Sequence, residues 1–261
     1  MAAPHPNPLP ASGERERAIT PRPVYGEREG PSPQGWEGEG QVQAHVLREL
    51  RASAVARIER ERELAALLAR AVSLHPAGFA ALDPAPIAAA GELGERALDR
   101  VIAVLGGTAY PVRRERLRRL REAMADGPAR PRTLGGCRFV PWRGRVLALR
   151  EAARTGPPLE LEPGRVSVWD QRFAASMPAA APLPVSIKAL GPAGVAALGG
   201  EDMTDDNPLP RLVYPVLPAV WDREGLAAVP HLLWRRATFA CAPVLAFRPL
   251  VSLFGAGFTV V

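Results

Sequence analysis

The sequence predicts an α+β fold behind a disordered N-terminal leader, and three observations carry that expectation. Residues 1–40 hold 8 prolines and 6 glycines and almost no large aliphatic side chains. Residues 41–126 repeat apolar positions at helical spacing among arginine, glutamate and alanine. Residues 127–261 break into short apolar segments punctuated by proline and glycine, the pattern of a small mixed α/β domain. The expected organisation is a leader over 1–40, a helical linking domain over 41–126 and a C-terminal α+β domain over 127–261. At 261 residues, 47% of them hydrophobic, the chain has enough apolar surface for a real core, which excludes global disorder.

The leader cannot bury enough apolar surface to offset the entropy of ordering it. Its run from Pro4 to Pro10, a proline at every second position, resembles translated intergenic repeat sequence of GC-rich bacteria more than a binding arm. From Val42 to Val72 the side chains Val46, Leu50, Ile58, Leu64, Leu67, Leu68 and Val72 recur near a helical period with no glycine or proline. That predicts one long helix, or two with a bend near Ser53. Leu74 to Phe79 should end it, because proline disfavours helix at the residue before it and Gly78 supplies a turn. A second helix is expected from Pro86 to Leu105, with Leu93, Ala97, Val101 and Leu105 inward and Gly106-Gly107 as its cap.

After Pro111, Leu117, Leu120 and Met124 stand at i, i+3 and i+7 while nearly everything between them is polar. The segment reads as a short amphipathic helix with an arginine face made of Arg113, Arg114, Arg116, Arg118, Arg119 and Arg121. Arg132 to Arg150 reads as a β-hairpin turning at Arg143-Gly144. Alternation puts Cys137, Phe139 and Val146 on one side, with Arg138, Arg143 and Arg145 along the other or at the turn. Further strands are expected at Val166–Trp169, Val185–Leu190, Val216–Trp221, Leu226–Trp234 and Ala237–Phe247. A short helix near Pro192–Leu198 and a hairpin turn at Trp221–Leu226 complete the set.

Charge is uneven along the chain. Residues 41–155 carry 21 basic against 12 acidic side chains, whereas the flanking stretches carry 4 against 6 and 8 against 9. Within Tyr110–Arg154 there are 13 arginines and 4 acids, so the net +6 of the whole chain is a local excess. A local excess of this kind points to an anionic partner, nucleic acid first. Two readings of the arginine helix stand: a phosphate-binding face, or the solvated outer face of a docked helix with some arginines paired to Glu115 and Glu122. All basic residues but Lys188 are arginine, which a GC-rich coding bias explains as readily as function does.

Several chemistries find no support. Cys137 and Cys241 lie far apart, only 4 histidines accompany them, and no CxxC or HExxH spacing exists, so neither a metal site nor a disulfide framework is expected. Cys137 reads as a small buried thiol, and His75 and His231, each beside a proline, read as hydrogen-bonded structural residues. The acidic run Glu201, Asp202, Asp205 and Asp206 lacks the alternate-residue spacing of a calcium loop and reads as a solvated loop. No Ser/His/Asp set can be named, and the Gly-Gly pairs at Gly106, Gly135 and Gly199 read as caps and turns. Neither GxxxxGK[ST] nor GxGxxG occurs, so no catalytic or cofactor-binding residue is expected. No signal peptide is legible, and Ala237–Val261, the one stretch testable as a membrane span, holds Pro243 and Arg248. A mid-membrane arginine costs about 2.5–3.5 kcal/mol. The chain is expected in the cytoplasm, with no membrane partner.

Four segments, in order, resemble the C-terminal part of bacterial tRNA(Ile)-lysidine synthetases: Leu74–Pro84, Gly106–Pro111, Arg132–Cys137 and Leu217–Asp222. The resemblance spans roughly residues 41–250. It implies a family of ATP-dependent ligases that adenylate the wobble cytidine of an isoleucine tRNA and let lysine displace AMP. In that family a PP-loop domain with a Ser-Gly-Gly-x-Asp-Ser motif binds ATP, while helical and C-terminal regions grip the tRNA. The motif does not occur in this sequence, so no catalytic residue carries over, and the residues before 41 do not match that domain. What the resemblance implies here is a truncated synthetase, inactive alone, with a helical tRNA-contacting region. The tRNA contacts fall to Arg113, Arg114, Arg116, Arg118, Arg119 and Arg121, with Arg138, Arg143 and Arg145 secondary. ATP and lysine belong to the full-length family and not to this chain, and a separately encoded catalytic domain is an implied partner. A stand-alone RNA-binding module and an inactive protein-interaction remnant are the competing readings.

Overall fold

In the computed structural model the architecture is α+β, and the described residues are 33–107, 111–125, 130–179, 184–199 and 209–254. Residue contacts divide the chain at Ser53. The first unit is described by the first part of helix α1 (Pro33–Ala71), whose side chains from Val42 to Ser53 are all exposed. The helix starts at Pro33, inside the stretch expected to be leader, and it runs unbroken past Ser53 as one element. The rest of the expected leader, 1–32, lies outside the described residues.

The second unit begins at Ala54. Here α1 turns Leu64, Leu67, Leu68 and Ala71 into a core. A tight hairpin follows, β1 (Val72–His75) and β2 (Phe79–Leu82), where a single turn ending the helix was expected. Gly78 makes that turn at φ +81, and its Cβ position lies 2.6 Å from the Phe173 ring, so a side chain is excluded on both counts. The expected helix Pro86–Leu105 is in fact two, α2 (Pro84–Ala89) and α3 (Glu92–Gly106). The chain breaks between them at Gly91, φ +57, and Asp83 caps α2 by accepting from the Ala85 amide at 3.2 Å. Gly107 in the left-handed region closes α3, as its glycine pair predicts.

Helix α4 (Arg114–Ala125) docks by Leu117, Leu120 and Met124, the three positions of its apolar stripe. Three strands then follow, β3 (Arg132–Leu134), β4 (Cys137–Trp142) and β5 (Arg145–Arg150), with the β4–β5 turn at Arg143-Gly144. They join the first hairpin in an antiparallel sheet of order β1-β2-β5-β4-β3. One sheet thus takes strands from both sides of the boundary expected at 126/127. Strand β5 is central and buried from Val146 to Arg150. Val146 and Ala148 face the helices, while Leu147 and Leu149 face a second sheet.

That second sheet is built from β6 (Leu159–Glu160), β9 (Ser186–Ala189), β10 (Pro218–Asp222), β11 (Gly225–Val229) and β12 (Trp234–Arg235). A third sheet pairs β7 (Val166–Trp169), β8 (Phe173–Ser176) and β13 (Val244–Phe247). Helix α5 (Gly191–Ala197) lies where a short helix was expected. One apolar cluster lies between the helices and the first sheet, a second between the first and second sheets, and a third between the second and third sheets. At about 1.5–3 kcal/mol for each fully buried large aliphatic side chain, these clusters dominate the folding free energy. Among the described residues no helix is long and apolar enough to cross a membrane.

Candidate nucleic-acid interface

The arginine helix is held by its apolar stripe, and the stripe decides which way its cations point. Arg113, Arg114, Arg116, Arg118 and Arg119 are exposed, and Arg121 is half-buried. Their partners differ sharply. Arg114 bonds Glu92, and its Nε donates to Glu95 Oε2 at 3.3 Å. Arg121 donates to the Ala88 carbonyl at 3.0 Å and stands 3.6 Å from both Glu95 and Glu122. Arg119 pairs with Glu115 one turn back. Arg113, Arg116 and Arg118 have no ion pair among the described residues.

The glutamates of α4 alone therefore understate the neutralisation of this face. Glu92 and Glu95 arrive from α3, and Glu95, only 6% exposed, lies between Arg114 and Arg121. A carboxylate that deep is tolerable because two guanidiniums compensate it. Arg114 and Arg121 are thus structural ties to Glu95, Arg119 makes an exposed pair within α4, and Arg116 and Arg118, with Arg113 just before the helix, have no ion pair among the described residues.

The hairpin arginines sit elsewhere. Arg138 and Arg145 are exposed on β4 and β5, and Arg143 occupies the turn at φ +47 with its guanidinium 5.1 Å from the Trp142 ring centre. Register places Arg138 opposite Leu149, on the sheet face turned away from α4, and Arg132 opposite Phe139, on the face turned toward it. Arg132 is therefore the strand residue that joins the α4 arginines. It was not among the expected contacts, and its alternation with Thr133 was the available signal.

Between α4 and the β3–β4 turn lies a groove of about 590 Å³ lined by Arg116, the segment Thr133–Gly136, Arg150, Glu151 and Arg154. A smaller trough of about 260 Å³ continues from it, sharing Arg116, Thr133 and Leu134 and adding Arg119 and Arg132. The groove floor is shaped by close backbone approach: a Cβ on Gly106 would stand 2.3 Å from the Gly135 carbonyl. One on Gly136, at φ +75, would stand 2.9 Å from Arg150 Nη1.

Arg150 is 7% exposed, and its guanidinium donates to the Gly106 and Arg154 carbonyls and to Asp170 Oδ1 at 2.9 Å. Asp170 Oδ2 accepts from Arg172 Nε at 3.0 Å, and Arg172, 1% exposed, stacks on Phe173 at 5.3 Å. Burial pushes the Arg172 pKa down, and Asp170 opposes that shift. Two buried cations thus share one carboxylate, an arrangement that the sequence reading did not find.

The remaining candidates are structural. Burial pushes the Cys137 thiol up to about 12, against the opposing pull of Arg172 and Arg150, so it is no nucleophile at neutral pH. His75 Nδ1 accepts from the Ala77 amide at 3.1 Å while its ring stacks on Phe79. His231 Nε2 lies 3.2 Å from the Pro76 carbonyl. Desolvation lowers the pKa of both histidines. The acidic residues Glu201, Asp202, Asp205 and Asp206 lie outside the described residues. Among the described residues no group of three or more His, Cys, Asp or Glu side chains is placed to hold a metal ion. No protein-family model matches the chain, and no curated protein matches it significantly.

Proposed function

We infer that this chain binds tRNA in the cytoplasm, as the RNA-gripping part of a tRNA(Ile)-lysidine synthetase-like system. The observation that supports this reading best is the set of free cations. Arg116 and Arg118 on α4, and Arg113 just before it, have no ion pair among the described residues, and Arg132 on β3 lines one trough with Arg116. Guanidinium suits the task, because its planar fork holds phosphate oxygens bidentately and stacks on exposed bases. A-form RNA is gripped mainly through backbone and shape, so little sequence reading is expected. Adenylation and lysine transfer belong, in this reading, to a separately encoded catalytic domain that supplies the ATP site.

The bland alternative, a solvated helix face, gains ground at Arg114, Arg119 and Arg121, whose charges are already matched. The two separate by fluorescence anisotropy with tRNA at several salt concentrations and heparin as competitor. Affinity that survives heparin and falls linearly with salt on logarithmic axes supports the tRNA grip. Binding that heparin abolishes makes the face a solvated surface.

A further inference from the structure

We propose that the groove between α4 and the β3–β4 turn is a seat for one phosphoryl group, supplied by the backbone of the bound RNA. The assignment rests on the RNA-binding reading and gives it a specific place. The lining holds Arg116, Arg150 and Arg154 against the single acid Glu151. Arg150 is more than nine-tenths buried, yet its Nε–H finds no hydrogen-bond partner. That nitrogen is closed off from solvent, so Arg150 acts on the groove through its charge and not through this bond.

The surrounding geometry fits an anion. Gly135 and Gly136 both take positive φ, and the missing Cβ of Gly136 makes room for Arg150 Nη1, 2.9 Å from where it would stand, at the groove wall. Arg116 belongs to both groove and trough, and Arg119 and Arg132 continue the basic lining beyond it. A polyanion strand can therefore run along the trough and set one phosphate in the deeper groove beside Arg150. Arg150 is fixed by two backbone carbonyls and Asp170, so it offers a pre-set charge rather than a flexible one.

The test uses the full chain and two variant pairs on the exposed cations, Arg116→Gln/Arg154→Gln for the groove and Arg113→Gln/Arg118→Gln for the outer face. For each, tRNA affinity is measured against salt, and the arginine Nε–H signals are followed by NMR with tRNA and, separately, with inorganic phosphate. The seat predicts that Arg154→Gln alone lowers the logarithmic salt slope by about 0.7–0.9, and that tRNA shifts the Arg150 Nε–H signal. If both groove variants keep the wild-type slope while the outer-face pair lowers it, the seat is overturned and the RNA reading stands. If wild-type chain binds no tRNA, the RNA reading fails and the phosphate arm decides. A shift of the Arg150 signal by inorganic phosphate then keeps the seat as a site for free phosphate, and no shift removes it.

Discussion

Asp170, at the tip of the β7–β8 turn, accepts a hydrogen bond from Arg150 at the end of β5, tying the third sheet to the first at 2.9 Å. Its other oxygen holds Arg172. Asp170→Asn would leave two buried guanidiniums without a counter-charge, and breaking a buried pair this way costs about 3–5 kcal/mol. Urea unfolding at neutral pH should show a loss of that size. A loss under 1 kcal/mol would mean that backbone carbonyls alone suffice for both arginines.

The histidines set the acid side of the stability profile. Burial holds His75 and His231 below the ordinary histidine value of 6.5, so the folded state resists protons that the unfolded chain accepts. The unfolded state then binds more protons as pH drops, and stability must fall as pH descends through 6.5 toward the folded values, levelling off below them. His231→Gln should flatten this slope between about pH 7 and 5, as read from urea midpoints across pH. A profile as steep as that of the native chain would assign the loss to carboxylates instead.

The two thiols should part in reactivity. Cys137 is fully buried, with its thiol near 12, whereas Cys241 is partly exposed. A disulfide reagent at pH 8 should modify one thiol quickly in the native chain and the second only on unfolding. Rapid modification of both would show that the helix layer opens away from β4.

Where the sequence was legible, one element carried its own signal. Helix α4 was readable from Leu117, Leu120 and Met124, and the β4–β5 hairpin from alternation around Arg143-Gly144, because in each case the burying face repeats locally. The β1–β2 hairpin was not: its strands have four residues each, and Ala80 and Ala81 give no contrast between faces. Pairing of Phe79–Leu82 with Val146–Leu149, across more than sixty residues, is what makes β2 a strand. The candidate site divides along the same line. Its arginines were visible as a face, but Glu92 and Glu95, which neutralise part of it, lie on α3 and meet α4 only in the fold. Arg150 ends an apolar run that is buried at every position from Val146, so no contrast between faces marked it, and only its shared parity with Val146 and Ala148 turns it toward the helices.

The division of α4 into free and paired arginines makes opposite demands of two neighbouring substitutions. Arg118 is exposed with no ion pair among the described residues, so Arg118→Gln should leave the unfolding midpoint within about 0.5 kcal/mol of the native chain. The same change should weaken tRNA binding uniformly across tRNA species and reduce its salt slope. Arg121 is different, because it compensates the buried Glu95 and bonds the Ala88 carbonyl, joining α4 to both α2 and α3. Arg121→Gln removes that charge while Arg114 remains, so a loss of about 1–3 kcal/mol is expected, with the tRNA salt slope unchanged in the folded fraction. Thermal unfolding and anisotropy on the same two variants decide the matter. If Arg121→Gln lowers the salt slope as much as Arg118→Gln does, the ion pair with Glu95 opens when RNA arrives, and the division into structural and binding arginines fails.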